Sequence, residues 1–241
     1  MADRRLCALL CLAIACTAPG PPRTTLEPTD DDGSRRVEAV HVALIERMLS
    51  HGQPYAALAH LDALDLAIPD APPTDRAHAT WLRAEALRQL GAHDDAVSLY
   101  GQLLDGPFAG LAYRGLGLVA AVQNRAAESR AHLETARGLR PTDARIRNDL
   151  GYAYLVAGDL RRASHELMTA LELDDTVPSV TANVLLLLYA REDESAAREF
   201  ARRRRIDAAR QEIVRAEARR VVASFGARSE VEPDRRRGER E

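Results

Sequence analysis

The chain has 241 residues, enough for one ordinary domain or an elongated array, and its formal net charge of −3 argues against a dedicated nucleic-acid binder. Hydrophobic residues make up 46%, so a sizeable core can form, but aromatics reach only 4%, thin for a β-sandwich or for base-stacking platforms. The sequence contains no Lys, and an all-Arg cationic set with abundant Ala reflects a GC-rich genome more than a function.

The amino-terminal segment comes first in chain order. The three cysteines, Cys7, Cys11 and Cys16, all lie in the first sixteen residues. That excludes a disulfide framework or a cysteine metal site in the rest of the chain. Behind the short cationic start Asp3-Arg4-Arg5 comes the apolar run "LCALLCLAIA", Leu6 to Ala15. It is too short to span a bilayer, which takes ~20 residues, and it ends in small residues. Residues 1–15 therefore read as a signal peptide. The ending "AIAC" resembles the bacterial lipobox, and the resemblance implies cleavage before Cys16 and lipidation of that cysteine. More than one acyl chain gives stable membrane anchoring. Thr17 follows where an Asp would signal inner-membrane retention, so the resemblance points to an outer-membrane lipoprotein facing the periplasm. The lipidated cysteine and the Pro-, Thr- and Asp-rich stretch after it, 16–36, read as an anchored, disordered tether.

From 37 onward the sequence repeats. "HGQPYAALAHL" carries Gly52, Ala57 and Leu61, and the Pro-rich loop "IPDAPPTD" (68–75) follows. "LGAHDDAVSLYGQLL" then shows Gly91, Ala96 and Tyr100 at turn, Ala and aromatic positions, with Trp81 one position off the pattern in the helix before it. The third unit has Tyr113, Leu116-Gly117, Leu133, Ala136 and Pro141, with Asn124 in place of the turn Gly and Ser129 in place of the central Ala. In the fourth, Leu150-Gly151, Tyr154, Gly158, Ala163, Leu167 and Ala170 recur, and Asp175 stands where Pro is expected. In a fifth, degenerate unit Ala197 falls 34 residues after Ala163, but the turn "REDE" lacks Gly. Residues 206–225, with Ile206, Ile213, Val214, Val221 and Val222, read as a helix capping the last exposed core face. The charged end, 226–241, reads as a disordered tail.

This pattern resembles the tetratricopeptide repeat, a helix–turn–helix unit of about 34 residues. The fold expected is all-α: a solenoid of about four to five repeats over 37–225 with a carboxyl-terminal capping helix. The small residues have a packing reason, because helices in contact approach to ~8–10 Å only where contact positions are small. Gly151 and Ala163 are expected to meet inside a pair, Ala170 to admit the next repeat, and Gly158 to turn the chain through a left-handed conformation.

Chemistry is sparse. The seven His residues show no i, i+4 metal pair, "GLG" (115–117) is absorbed by the repeat rather than by a phosphate loop, and Ser164 and Ser195 lack a nucleophile-elbow context. No catalytic residue, metal site or cofactor is expected, and no nucleic-acid partner. The Arg run at 201–210 reads as a solvated face balanced by Glu199, Asp207, Glu212 and Glu217, with an acidic partner or lipid headgroups as the functional alternative.

Likeness to the repeat family implies a groove lined by the first helices that binds a partner protein. Carried onto this sequence, its residues are His78, Trp81, Glu85 and Arg88, then Arg114, Leu118 and Val122, then Arg145, Asn148, Tyr152 and Leu155. Trp81, Tyr152, Arg88, Arg114 and Arg145 are expected to dominate the binding energy. The Lys/Asn clamp that some members use for a peptide carboxyl terminus is not recognisable. A lipobox ahead of a short array, with "RNDLGYAYLVAGDLRRASHELMTALELD" and "ANVLLLLYAREDESAAREFARRRRID", resembles the tight-adherence (Flp) pilus assembly lipoproteins of the TadD type. That resemblance implies an adaptor for secretin or other pilus-machinery subunits. A pilotin-like envelope scaffold, or a regulator of a peptidoglycan or exopolysaccharide enzyme, are the alternative readings.

Overall fold

A computed structural model describes the backbone of residues 31–67 and 73–235, and the side chains of 40–66 and 75–225. The stretch read as a signal peptide, Cys7, Cys11, Cys16, most of the stretch read as a tether, the centre of the Pro-rich loop and the last six residues lie outside the described residues.

The described residues form helices and no strands. They pair as α1 (Asp31–Ser50) with α2 (Pro54–Ala67), α3 (Pro73–Gln89) with α4 (His93–Gly101), α5 (Ala109–Val122) with α6 (Ala126–Leu139), α7 (Ala144–Val156) with α8 (Leu160–Leu173), and α9 (Pro178–Ala190) with α10 (Glu194–Arg203); α11 (Ala208–Arg235) closes the chain. All five expected repeats and the cap are present. The helical boundaries differ at both ends: α1 begins inside the stretch read as tether, and α11 continues ten residues past 225 into the stretch read as tail.

The repeat positions do what their size dictates. Ala57, Ala96, Ala163 and Ala197 are fully buried, and Ser129 is 2% exposed at the equivalent place. A Cβ on Gly151 would lie 2.6 Å from Leu167 Cγ and 3.1 Å from the Leu167 amide, so the nearest obstacle at this glycine is Leu167 of α8. The same relation recurs 34 residues earlier, where a Cβ on Gly117 would lie 2.7 Å from Leu133 Cγ. Gly115 has no counterpart in the repeat pattern: it makes room for the ring of Tyr100, which is wholly buried.

Each pair turns through one left-handed residue: Gly52, Gly91, Asn124, Gly158 and Glu192, with φ between 59 and 85°. Glycine adopts this conformation freely and Asn tolerates it, so of the two units without a turn Gly the third keeps the geometry cheaply through Asn124 and the fifth at a conformational cost borne by Glu192. Asp159 and Asp193 then cap α8 and α10, accepting from the amides of Arg162 and Ala196. At the expected Pro position, Asp175 instead accepts an ion pair from Arg204 (2.6 Å), while Pro178 opens α9 at its first helical position.

First helices of neighbouring pairs pack on one another (α1 on α3, α3 on α5, α5 on α7, α7 on α9), whereas second helices do not pack in this way. A stack tied together on one side and spread on the other must curve, and the first helices take its inner face. The cap packs on α9 and also reaches α7. Val214, Ala218 and Val221 are buried in the core that runs through α7 to α10, and Phe225 packs against the α7–α8 turn at Gly158. Ile213, expected in the cap's core face, is instead 62% exposed on the neighbouring face of α11.

Candidate binding groove

The inner face carries a ribbon of buried polar contacts. In α3, the Glu85 carboxylate accepts from the Arg88 guanidinium (2.8 Å) and from the Tyr100 hydroxyl (2.5 Å). Burial works to raise the Glu85 pKa, but the Arg88 charge and the two hydrogen bonds outweigh it and hold the carboxyl below its ordinary value. Burial, and then the same carboxylate, push the Tyr100 phenol up. Burial disfavours the charged Arg114 side chain of α5, yet Asp149 of α7 at 2.6 Å and the Glu85 charge raise its pKa all the same. The Asn148 amide donates to the other Asp149 oxygen (3.3 Å), and Asn183 of α9 donates to the Asn148 carbonyl (3.0 Å). Arg114 of α5 and Asn183 of α9 both donate to α7, which ties the first helices of three repeats in one register.

Two contiguous clefts open beside this ribbon. The first, about 510 Å³, lies between α5, α7 and α9 and reaches down to α6. Leu118, Ala121, Leu133, Ala153 and Val156 give it apolar walls, with Asn148, Tyr152 and Asn183 at its polar side. The second, about 490 Å³, lies between α7, α9 and α11 and is lined by Tyr152, Asn183, Leu186, Arg210, Ile213, Glu217 and others. Tyr152 and Asn183 belong to both, so the two form one groove walled at one end by the cap helix. Tyr152 is 38% exposed, and burial with the nearby Glu217 carboxylate pushes its phenol up.

The expected groove residues divide accordingly. Leu118, Asn148 and Tyr152 converge on the first cleft, and Arg114 stands behind it through Asp149. Asn148 and Glu85 are buried and hydrogen-bonded within the fold, so their atoms serve the ribbon. Arg88 is occupied by Glu85. Trp81 packs partly buried between the cores of the first and second repeats, close to His78 and Phe108, at a distance along the stack from both clefts. Val122 is exposed at the end of α5 and lines neither of these clefts; Arg145, exposed near the start of α7, lines instead a separate polar pocket with Asp143, Leu173 and Asp174. Leu155 is fully buried in the core, which corrects its expected place in the groove: it lies on the face of α7 turned toward α8 and α9.

The reading missed Asn183, although it lies 35 residues after Asn148 on the next first helix. It also missed Arg210, Ile213, Glu217 and Arg220, which form one face of α11, i, i+3, i+7, i+10, beside the buried stripe Val214, Ala218, Val221. Among the described residues no cluster of three His, Cys, Asp or Glu could hold a metal ion, and no helix is long and apolar enough to cross a membrane.

No family model matches the chain. It is 35% identical over 190 residues to a TPR repeat-containing protein of Pseudomonas aeruginosa, covering 79% of this chain and 72% of that protein. Among solved structures it resembles pilF of Pseudomonas aeruginosa, with a TM-score of 0.57 at 21% identity over 81% of this chain and 91% of the other. It also resembles MamA of Desulfovibrio magneticus, with a TM-score of 0.48 at 21% identity over 69% of this chain and 92% of the other. With its helix pairs, left-handed turns and small contact residues in register, the chain belongs to the tetratricopeptide (TPR) repeat proteins.

Proposed function

We propose that this chain is a non-catalytic adaptor that holds a segment of a partner protein in the groove between α5 and α11. The observation that carries this is the continuous, mostly apolar groove on the first-helix face, floored by α7 and α9 and bounded by side chains already fixed by the buried ribbon. A prearranged surface spends little conformational entropy on binding, which suits recognition rather than turnover.

The setting proposed is the bacterial envelope, with Cys16 lipidated, the anchor in the outer membrane and the repeats facing the periplasm. The partners proposed are secretin or other subunits of a tight-adherence pilus machine. The sequence resemblance to the TadD-type lipoproteins supports this role, and the likeness to pilF is consistent with a pilus setting while carrying the fold alone.

Affinity capture of the tagged full chain from gently solubilised envelopes tests the partner. The expected result is a secretin or pilus subunit that is lost with Tyr152→Ala. Capture of a cell-wall or polysaccharide enzyme through the same groove would retain the adaptor and discard the pilus role. Labelled palmitate should enter the parent chain and not Cys16→Ala; equal labelling of both would refute the anchor.

A further inference from the structure

The groove's two halves differ in chemistry, and the difference specifies an occupant. This inference rests on the adaptor reading and names the kind of segment the groove takes. The first cleft is walled by small and branched apolar side chains and carries no uncompensated charge: its one carboxylate, Asp149, is held by Arg114 at 2.6 Å. At about 510 Å³ it has room for a large side chain and the backbone beside it. Burying an apolar group there gains the hydrophobic term, whereas a charge there would meet no counter-ion.

The second cleft is different. Glu217 and Arg220 pair across one turn of α11 at 3.5 Å, which cancels their charges. Arg210 lines the same cleft and has no ion-pair partner among the described residues. One helical turn on, Ile213 leaves 62% of its surface open. The Asp207 carboxylate one turn back accepts from the Arg210 amide and makes no ion pair with its guanidinium, so among the cleft's lining residues Arg210 stands as an unpaired positive charge beside an uncovered apolar side chain. Arg recognises carboxylates bidentately, which sets the complementary group.

We infer that the groove takes a protein segment bearing a bulky apolar side chain, seated in the α5–α7 cleft, and an Asp or Glu side chain that reaches Arg210. The segment crosses Tyr152 and Asn183 between the two. Its specificity lies in the pairing: apolar anchors without the acid lose the Arg210 contact, and acidic segments without the anchor leave the first cleft unfilled.

The test selects 12-residue phage-displayed peptides on the full chain, then measures the enriched peptides by fluorescence anisotropy against variants. Ala121 and Arg210 are both exposed, so Ala121→Trp, which fills the first cleft, and Arg210→Glu, which needs no extra volume, should fold; circular dichroism checks this. The expected peptides carry a Leu, Phe, Tyr or Trp and, further along, an Asp or Glu. Each variant should weaken them at least tenfold, and changing the peptide acid to Lys should restore binding to Arg210→Glu. Peptides that lose affinity with Ala121→Trp but show no acid and ignore Arg210→Glu would overturn the inference while leaving the groove as the binding site. Peptides insensitive to both variants, or no enrichment at all, would overturn the inference and the groove reading together.

Discussion

Gly151 shows how a single absent side chain sets a helix crossing. With Leu167 Cγ 2.6 Å from where a Cβ would stand, and the Leu167 amide at 3.1 Å, no rotamer of a larger residue escapes contact with α8. Gly151→Leu should destabilise the chain by a few kcal/mol through overpacking, read as a lower melting temperature; an unchanged melt would contradict this register. Ser129 is the opposite case. Its hydroxyl is buried without a hydrogen-bond partner at a position where three of the other repeats and the degenerate one place Ala. Ser129→Ala should therefore stabilise by about 1 kcal/mol, raising the melting temperature by roughly 2–4 °C in a chain this long. Glu192, with φ at 59°, carries the turn that Gly158 carries one repeat earlier. Glu192→Gly should gain up to about 1 kcal/mol in thermal or urea unfolding, and a loss would show that Glu192 earns its place by some other contact.

At the scale of the element, legibility tracked how local the determining interactions are. The helix pairs, their turns and the small contact positions depend on residues a few places apart or one repeat apart, so spacing alone gives them. The cap helix was legible from spacing, but its buried face was not. Its place depends on where α11 lies against α9 and α7, and Ile213 sits one residue from the buried Val214 but on a different face. The groove set suffered in the same way. Glu85 and Asn148 occupy inner-face positions, yet their partners Tyr100 and Asn183 come from other helices, and that pairing turns them from contacts into supports. Glu85 also gives α3 a pH dependence. Its carboxyl is held below its ordinary value, so its contribution is present above about pH 4.5, its unfolded value, and is lost as pH falls through the folded one. Glu85→Gln should cost about 2–4 kcal/mol at neutral pH. The deficit against the parent should shrink below pH 4.5 in urea melts, and a gap constant with pH would remove the charge from the account.

The described residues form a curved stack whose inner face is tied by polar contacts from α5 through α7 to α9 and closed at its end by α11. Because each repeat contacts mainly its neighbours, the stack's stability is a sum of local interfaces, and its function follows from the surface those interfaces expose. The fold was readable because the repeat is written several times over. The partner is written nowhere in the chain, so it has to be reached through the groove. A partner segment lying between α5 and α11 is within reach of site-specific photocrosslinking in cells. A benzoylphenylalanine in place of Tyr152 on the inner face is compared with one in place of Met168, which is exposed on α8 at the outer side. A discrete protein adduct is expected from position 152 and none from 168; adducts from 168 with none from 152 would rule the groove out as the binding surface.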